Sequence, residues 1–191
     1  GQRGDVLCRV GNPHVKPVAR GTEVYEIDNQ PALQLYKSFL GSQADQLPAS
    51  GLLFPLSMQQ GSSDRPIVRT ILGVNEKEQS LTFAGDIPEG ARVKLMKANV
   101  DQLIFGAEKA ALASRLHDQE NQLSILISCV GRRLVLKQLV EEEIEVVRDV
   151  LGDTAVLTGF YSYGEIGPFL QHGRCELHNQ TMTITTLSEK Q

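Results

Sequence analysis

The stretch "LSILISCVGRR", residues 123 to 133, decides how the chain is read. Leu123 to Ser128 form an apolar run of strand length, which predicts a central strand buried on both faces. The run gives way to a cysteine, a glycine and two adjacent arginines. Further on, Leu136, Val140, Ile144, Val147 and Leu151 recur at helical spacing and predict a helix over about 136 to 151. Its charged residues, Glu141, Glu142, Glu143 and Glu145, read as a solvated face. "TAVLTGF", residues 154 to 160, reads as another buried strand. Strand, turn, helix and strand in this order fit a βαβ unit with parallel strands.

Upstream, residues 1 to 21 are rich in Gly, Pro and Arg and read as loop with short extended pieces. "TEVYEI", 22 to 27, alternates as a strand does. Asp28 or Asn29 is placed to cap a helix with Pro31 in its first turn; Leu33, Tyr36, Phe39 and Leu40 form its apolar side and Gly41 ends it. "LLFPLS", "PIVRTILGV", "QSLTFAGD" and "DIPEGARVKLMKA" read as short strands joined by Gly and Pro turns. Asn99 opens a further helix, with Gln102 three positions later as in a capping box. Downstream, "CELHN" and "TMTITTL" alternate like a terminal antiparallel hairpin. The expected fold class is α+β (mixed α/β): a mixed, mainly antiparallel sheet packed by two long helices and a shorter N-terminal one.

Composition narrows the function. The chain has 191 residues, 41% hydrophobic and 22% charged, ordinary for a globular protein with a sizeable core. A net charge of −4 with no run of Lys and Arg does not supply the basic face that nucleic acid requires. No apolar stretch approaches the roughly 20 residues that span a bilayer, and no signal peptide opens the chain. Cys8, Cys129 and Cys175 lack the close spacing of a zinc site or a disulfide framework, which fits a reducing cytoplasm. The chain starts at Gly1, and its first residues read as the interior of a longer protein.

Several spots are chemically suggestive. "SCVGRR" suits an anion site, with Gly131 admitting a ligand and Arg132 or Arg133 forking onto a carboxylate or phosphate; the plainer alternative is a strand end with solvated arginines. Cys129 would be a nucleophile only with a lowered pKa, and is otherwise inert packing. In "GFYSYGEIGP", 159 to 168, Glu165 would stand beside an arginine, and Tyr161 and Tyr163 would give a wall and hydroxyls; the alternative is a glycine turn with surface aromatics. His178 reads better as a partner for a buried backbone carbonyl than as a metal ligand. His14, His117, His172 and His178 show no zinc-ligand spacing. Haem needs one strong protein ligand, so it stays open as a cofactor. No P-loop, dinucleotide fingerprint or nucleophile elbow is present.

Taken in order, "ILGVNEKEQSLTFAGDIPEGARVKLMKA", "SCVGRR", "GFYSYGEIGP" and "LHNQTMTIT" resemble the C-terminal domain of FIST proteins, across roughly residues 30 to 187. "GTEVYEIDNQPALQLYKSFLG" resembles the junction with that family's N-terminal domain. The resemblance implies residues 1–29 as the remnant of a FIST N-terminal domain and 30–191 as the C-terminal sensory domain. It implies a cytoplasmic signal-transduction protein, bacterial or, as in F-box members, eukaryotic, binding a small ligand such as an amino acid, with haem in some members and no established enzymatic activity. Cys129, Gly131, Arg132, Tyr163, Gly164, Glu165, His178, Asn179 and Thr181 fit the family's pattern. The expected arrangement seats a zwitterion with its carboxylate on Arg132 and the N–H groups near Gly131, its ammonium on Glu165, and hydrogen bonds from Tyr163 and Asn179. Expected partners are that ligand, the FIST N-terminal domain of the same protein and a signalling protein. Alternatives are a haem-based gas sensor, a Cys129 enzyme with His178 as base, and an interaction module without a ligand.

Overall fold

The computed structural model describes residues 7–9, 17–60, 66–116, 122–168 and 175–189. Its contacts divide the chain into two compact units, Leu7–Ala98 and Asn99–Gln191. The loop expected over residues 1 to 21 lies largely outside the described residues.

The first unit is built from short strands. β1 (Leu7–Arg9), β2 (Pro17–Arg20), β3 (Glu23–Ile27) and β4 (Gln30–Pro31) come first. Asp28 and Asn29 do not cap a helix. Both have positive φ, 51° and 60°, and make the tight turn that pairs Ile27 with Gln30, a job Asp and Asn do well because they tolerate left-handed backbone. Helix α1 (Ala32–Leu40) follows from Pro31 without a side-chain cap and stops at Gly41. Leu33, Tyr36 and Leu40 are buried, but Phe39, expected with them, is 59% exposed. Leu52 and Leu53 of "LLFPLS" end a 3₁₀ turn, Ala49–Leu53, and strand β5 (Leu56–Gln59) begins only after Pro55. "PIVRTILGV" is two strands, β6 (Ile67–Arg69) and β7 (Ile71–Asn75), which enter different sheets. β8 (Ser80–Phe83) and β9 (Arg92–Ala98) complete the unit. One sheet runs β1-β9-β5-β6; the other runs β2-β3-β8-β7, with β4 on β3. Both are antiparallel. Val24, Leu33, Tyr36, Ile71, Leu81 and Phe83 are core residues of this unit.

The second unit carries the βαβ element. Helix α2 (Val100–Ser114) opens at Asn99, whose Oδ1 accepts the Gln102 N–H at 3.1 Å, as the sequence predicts. β10 (Gln122–Cys129) runs directly into α3 (Val130–Leu136), and a 3₁₀ turn, Lys137–Leu139, leads to α4 (Val140–Leu151). The helix expected over 136 to 151 is thus shorter, and the expected arginine turn is helical. β11 (Val156–Ser162) returns parallel to β10. β12 (Glu165–Pro168) pairs with β13 (Cys175–His178), and β14 (Met182–Ser188) pairs antiparallel with β10. "CELHN" and "TMTITTL" therefore do not pair with each other. Residues 179–181 separate the two strands, Gln180 with positive φ, and each strand joins a different sheet.

The class is α+β with two long helices and a shorter early one, as read from the sequence, but the strands form several sheets rather than one. β10 is central in the order β11-β10-β14. On one face Leu126, Met182 and Ile184 pack with Ala107, Ala110 and Ala111 of α2 and Val147 and Leu151 of α4. The alanines let the helices approach closely. Alternation sends Leu123, Ile125 and Ile127 to the opposite face, where Leu123 is exposed. β11, expected to be buried, is an edge strand among the described residues: Val156 is 62% and Phe160 61% exposed.

Candidate functional site

Arg132 shapes the site. Because α3 starts immediately after β10, the third residue beyond the strand is turned inward, and its guanidinium is buried. Nε donates to Glu143 Oε1 at 2.5 Å, Nη2 to the Leu103 carbonyl at 2.7 Å, and Nη1 to the Gln180 carbonyl at 3.5 Å. One side chain thus ties together α2, α4 and the loop before β14. Glu143 is fully buried, which corrects its placement on a solvated face, and the Ser128 hydroxyl stands 3.3 and 3.4 Å from its two oxygens. A buried charge requires such partners, since desolvation costs several kcal/mol per ion. The expected fork onto a ligand carboxylate is spent on the protein itself.

Glu165 is the second buried carboxylate. Its oxygens accept from the hydroxyls of Ser162 and Thr181, both at 2.6 Å. Burial raises its pKa, against the hydrogen bonds and the Arg132 charge that lower it. No ion pair joins Glu165 and Arg132 among the described residues. The Cys129 sulfur receives the backbone N–H groups of Gln180 and Gly131, yet burial and the charge of Glu165 push the thiol pKa up. That environment favours the thiol, the opposite of what a nucleophile needs. Gly131 is the second residue of α3 and is buried.

His178 meets a backbone carbonyl, as its setting in the sequence implies: Nε2 lies 3.0 Å from the Gly167 oxygen. The other three histidines lie outside the described residues. Asn179 is buried and its Nδ2 donates to the His178 carbonyl at 3.2 Å. A Cβ on Gly164 would stand 2.9 Å from Leu177 Cδ1, so glycine there is a packing requirement. Tyr163 is 86% exposed and away from this cluster's interior. Eight of the nine pattern residues are thus accounted for by internal packing and hydrogen bonds, and Tyr163 by exposure.

The open space lies next to them. A cavity of about 300 Å³ runs between the sheet and α4, at the small end of ligand pockets. Leu126, Ser128 and Met182 form its floor, Ile144 one wall, and β11 from Leu157 to Tyr161 the other. Tyr161, which the sequence offers as a wall together with Tyr163, is among the lining residues, whereas Tyr163 is not. The Arg133 guanidinium sits 5.2 Å from its ring centroid, within cation–π range, and Arg133 is exposed. Ser128 and Tyr161, paired across β10 and β11, are hydroxyl-bearing residues of this largely apolar lining. Ser128 belongs to both regions, lining the cavity and touching Glu143. Sequence reasoning passed over Ser128, Ile144 and Met182. The alternation Ser124, Leu126, Ser128 beneath a helix was the signal for the first.

No group of three or more His, Cys, Asp or Glu side chains among the described residues could hold a metal ion. No helix there is long and apolar enough to cross a membrane. The arrangement is that of an α+β domain with an apolar cavity resting on a buried ionic cluster. Residues 32–168, well over half of the chain, match the FIST C domain family, and the chain belongs to it. That family is associated with sensory signal-transduction proteins. No curated protein and no solved structure matches the chain.

Proposed function

We propose that this chain is a ligand-sensing domain whose ligand occupies the cavity between β10, β11, β14 and α4. The ligand is a small zwitterion with an apolar body, an apolar amino acid being the simplest. Its side chain lies among Leu126, Ile144 and Met182, and its carboxylate meets Arg133 and the Tyr161 hydroxyl at the mouth. This differs from a ligand held directly by Arg132 and Glu165. Their side chains are engaged within the protein, so they position the elements that surround the ligand. The carrying observation is Ser128, which faces the cavity and contacts Glu143. Through it, occupancy reaches the Arg132 pair that joins α2, α4 and the Gln180 carbonyl, and a ligand shifts an equilibrium only through such differential contacts. Free Cys129 and Cys175 fit a cytoplasmic setting, and the signal passes to the remainder of a FIST protein or to a signalling partner.

A thermal-shift screen against the amino acids, with haem as one well, tests this. At about 100-fold its dissociation constant a ligand adds about 2.7 kcal/mol, which for a chain of this size raises Tm by roughly 5–10 °C. Ile144→Phe fills the cavity, and the shift should vanish in that variant while its own Tm stays close to the parent. A shift that survives Ile144→Phe would place the ligand elsewhere.

A further inference from the structure

Two helices of this chain end in nearly the same backbone geometry, and only one of the two ends on glycine. α1 closes at Gly41, with φ 57° and ψ −127°, and α3 at Lys137, with φ 54° and ψ −109°. In both, the N–H of that residue bonds the carbonyl four residues back, and a 3₁₀ turn follows. Glycine adopts this region freely, whereas a side chain there is strained. The lysine also interrupts a sequence that carries no stop signal. From Arg132 to Arg148 there is no Gly, Pro, Asn, Asp, Ser or Thr, and Lys137, Gln138 and Leu139 are all strong helix formers. Leu136 and Val140, on either side, have right-handed helical angles.

What holds the break is tertiary. Arg132 lies in α3 and Glu143 in α4, and their buried side chains meet at 2.5 Å. In one continuous helix these two residues, 11 apart in sequence, would stand about 16.5 Å apart along the axis. Charged side chains pair along a helix only at three or four residues' separation. The ion pair and a continuous helix therefore exclude each other.

We propose that Lys137 is the strained hinge of a two-state joint. In the bent form Arg132 and Glu143 pair; in the extended form α3 and α4 run on as one helix and the pair is broken. The sequence serves both forms. Glu141, Glu142 and Glu143 fall in the first turn of α4, where acidic groups complement the helix N-terminus of the bent form. Lys137 stands four residues before Glu141, a spacing that pairs on the extended helix. Local preference that disagrees with tertiary structure marks strained and functional places in a fold. The bent form sets Ile144 on the cavity and Glu143 against Ser128. On the sensing reading above, a filled cavity thus favours the bent form and an empty one releases it; the joint itself does not require that reading.

Lys137 is exposed, so replacing it disturbs no core contact. Lys137→Gly relieves the strain of the bent form and weakens the extended helix. Urea unfolding of the whole chain should show its folding equilibrium constant raised about fivefold, with no such gain in Lys137→Ala, which keeps the strain. The extended form is read by NMR in Arg132→Gln/Glu143→Gln, which removes both charges together. There the Lys137 Cα shift should move to a helical value, and the Glu141 and Glu142 amides should gain protection from hydrogen exchange as first-turn N–H groups find carbonyls. Adding Lys137→Gly should cancel that protection. A glycine variant no more stable than the alanine one would overturn the proposal, as would a folded double variant with Lys137 at its parent shift. Should the double variant not fold, relaxation dispersion on the parent decides: exchange at Lys137 to Glu141 that Lys137→Gly abolishes is expected, and its absence overturns the hinge. None of these measurements uses a ligand, so they stand or fall apart from the thermal screen.

Discussion

Arg132 and Glu143 form an ion pair at 2.5 Å in which both side chains are buried. They lie on different helices, α3 and α4, and each holds a further partner: Arg132 the carbonyls of Leu103 and Gln180, Glu143 the hydroxyl of Ser128. Removing either partner strands the other as a buried, uncompensated charge. Arg132→Ala or Glu143→Ala should each destabilise the second unit by about 3–5 kcal/mol. Urea unfolding of the double variant should show a loss well short of the sum. The exposed pair Lys37–Glu76, also close at 2.6 Å, is the internal comparison: Lys37→Ala should cost at most about 1 kcal/mol.

Glu165 makes stability depend on pH in a direction opposite to that of most carboxylates. Its folded-state pKa is raised, chiefly by burial. The folded protein therefore holds a proton at pH values where the unfolded chain has lost it. Stability falls as pH rises from the ordinary carboxylate range through the raised value, and is level beyond. Glu165→Gln should flatten this segment of a stability-versus-pH curve measured by denaturant unfolding. A curve unchanged by the substitution would show that another group sets the slope.

The two described free cysteines should differ sharply in reactivity. Cys175 is exposed on β13, whereas Cys129 is buried with its thiol pKa pushed up. Brief iodoacetamide treatment near neutral pH, read by peptide mass mapping, should label Cys175 and leave Cys129 unmodified until denaturant is added. Rapid labelling of Cys129 in the native protein would revive a nucleophilic role for it.

Gly159 is fixed by its neighbour strand. A Cβ built there would stand 1.9 Å from the Leu126 carbonyl oxygen, a backbone atom that cannot swing aside. Gly159→Ala should cost on the order of 1–3 kcal/mol and should speed hydrogen exchange along β10 and β11, read by mass spectrometry.

What the sequence makes legible follows from how local each signal is. The Asn99 cap needs only the N–H three residues on, and the parallel pair of β10 and β11 follows from a strand, a helix and a strand in short order. The two-sided burial expected of Leu123 to Ser128 and of Val156 to Phe160 rests on apolar runs, which do not reveal how many neighbours a strand has. β11 ended as an edge, and the outer face of β10 is open at Leu123. Glu143 reads as solvated from the sequence because three more glutamates surround it. Yet it lies one turn before the buried Val147, on the inward side of α4, and its partner Arg132 comes from another helix. The candidate-site residues stand out in the sequence by pattern, and most do gather at the end of β10, but their polar groups face one another. The cavity depends on side chains from α4 and β14 that only the tertiary fold brings beside β11.

The most direct test of the central claim uses the chain's three methionines. Met182 lines the cavity, whereas Met58 and Met96 belong to the first unit, Leu7–Ala98. With ¹³C-labelled methionine methyl groups, titration with the apolar amino acid that scores in the thermal screen should move the Met182 resonance and leave the other two in place. Saturable binding that leaves Met182 unmoved would contradict the assignment of this cavity as the sensing site.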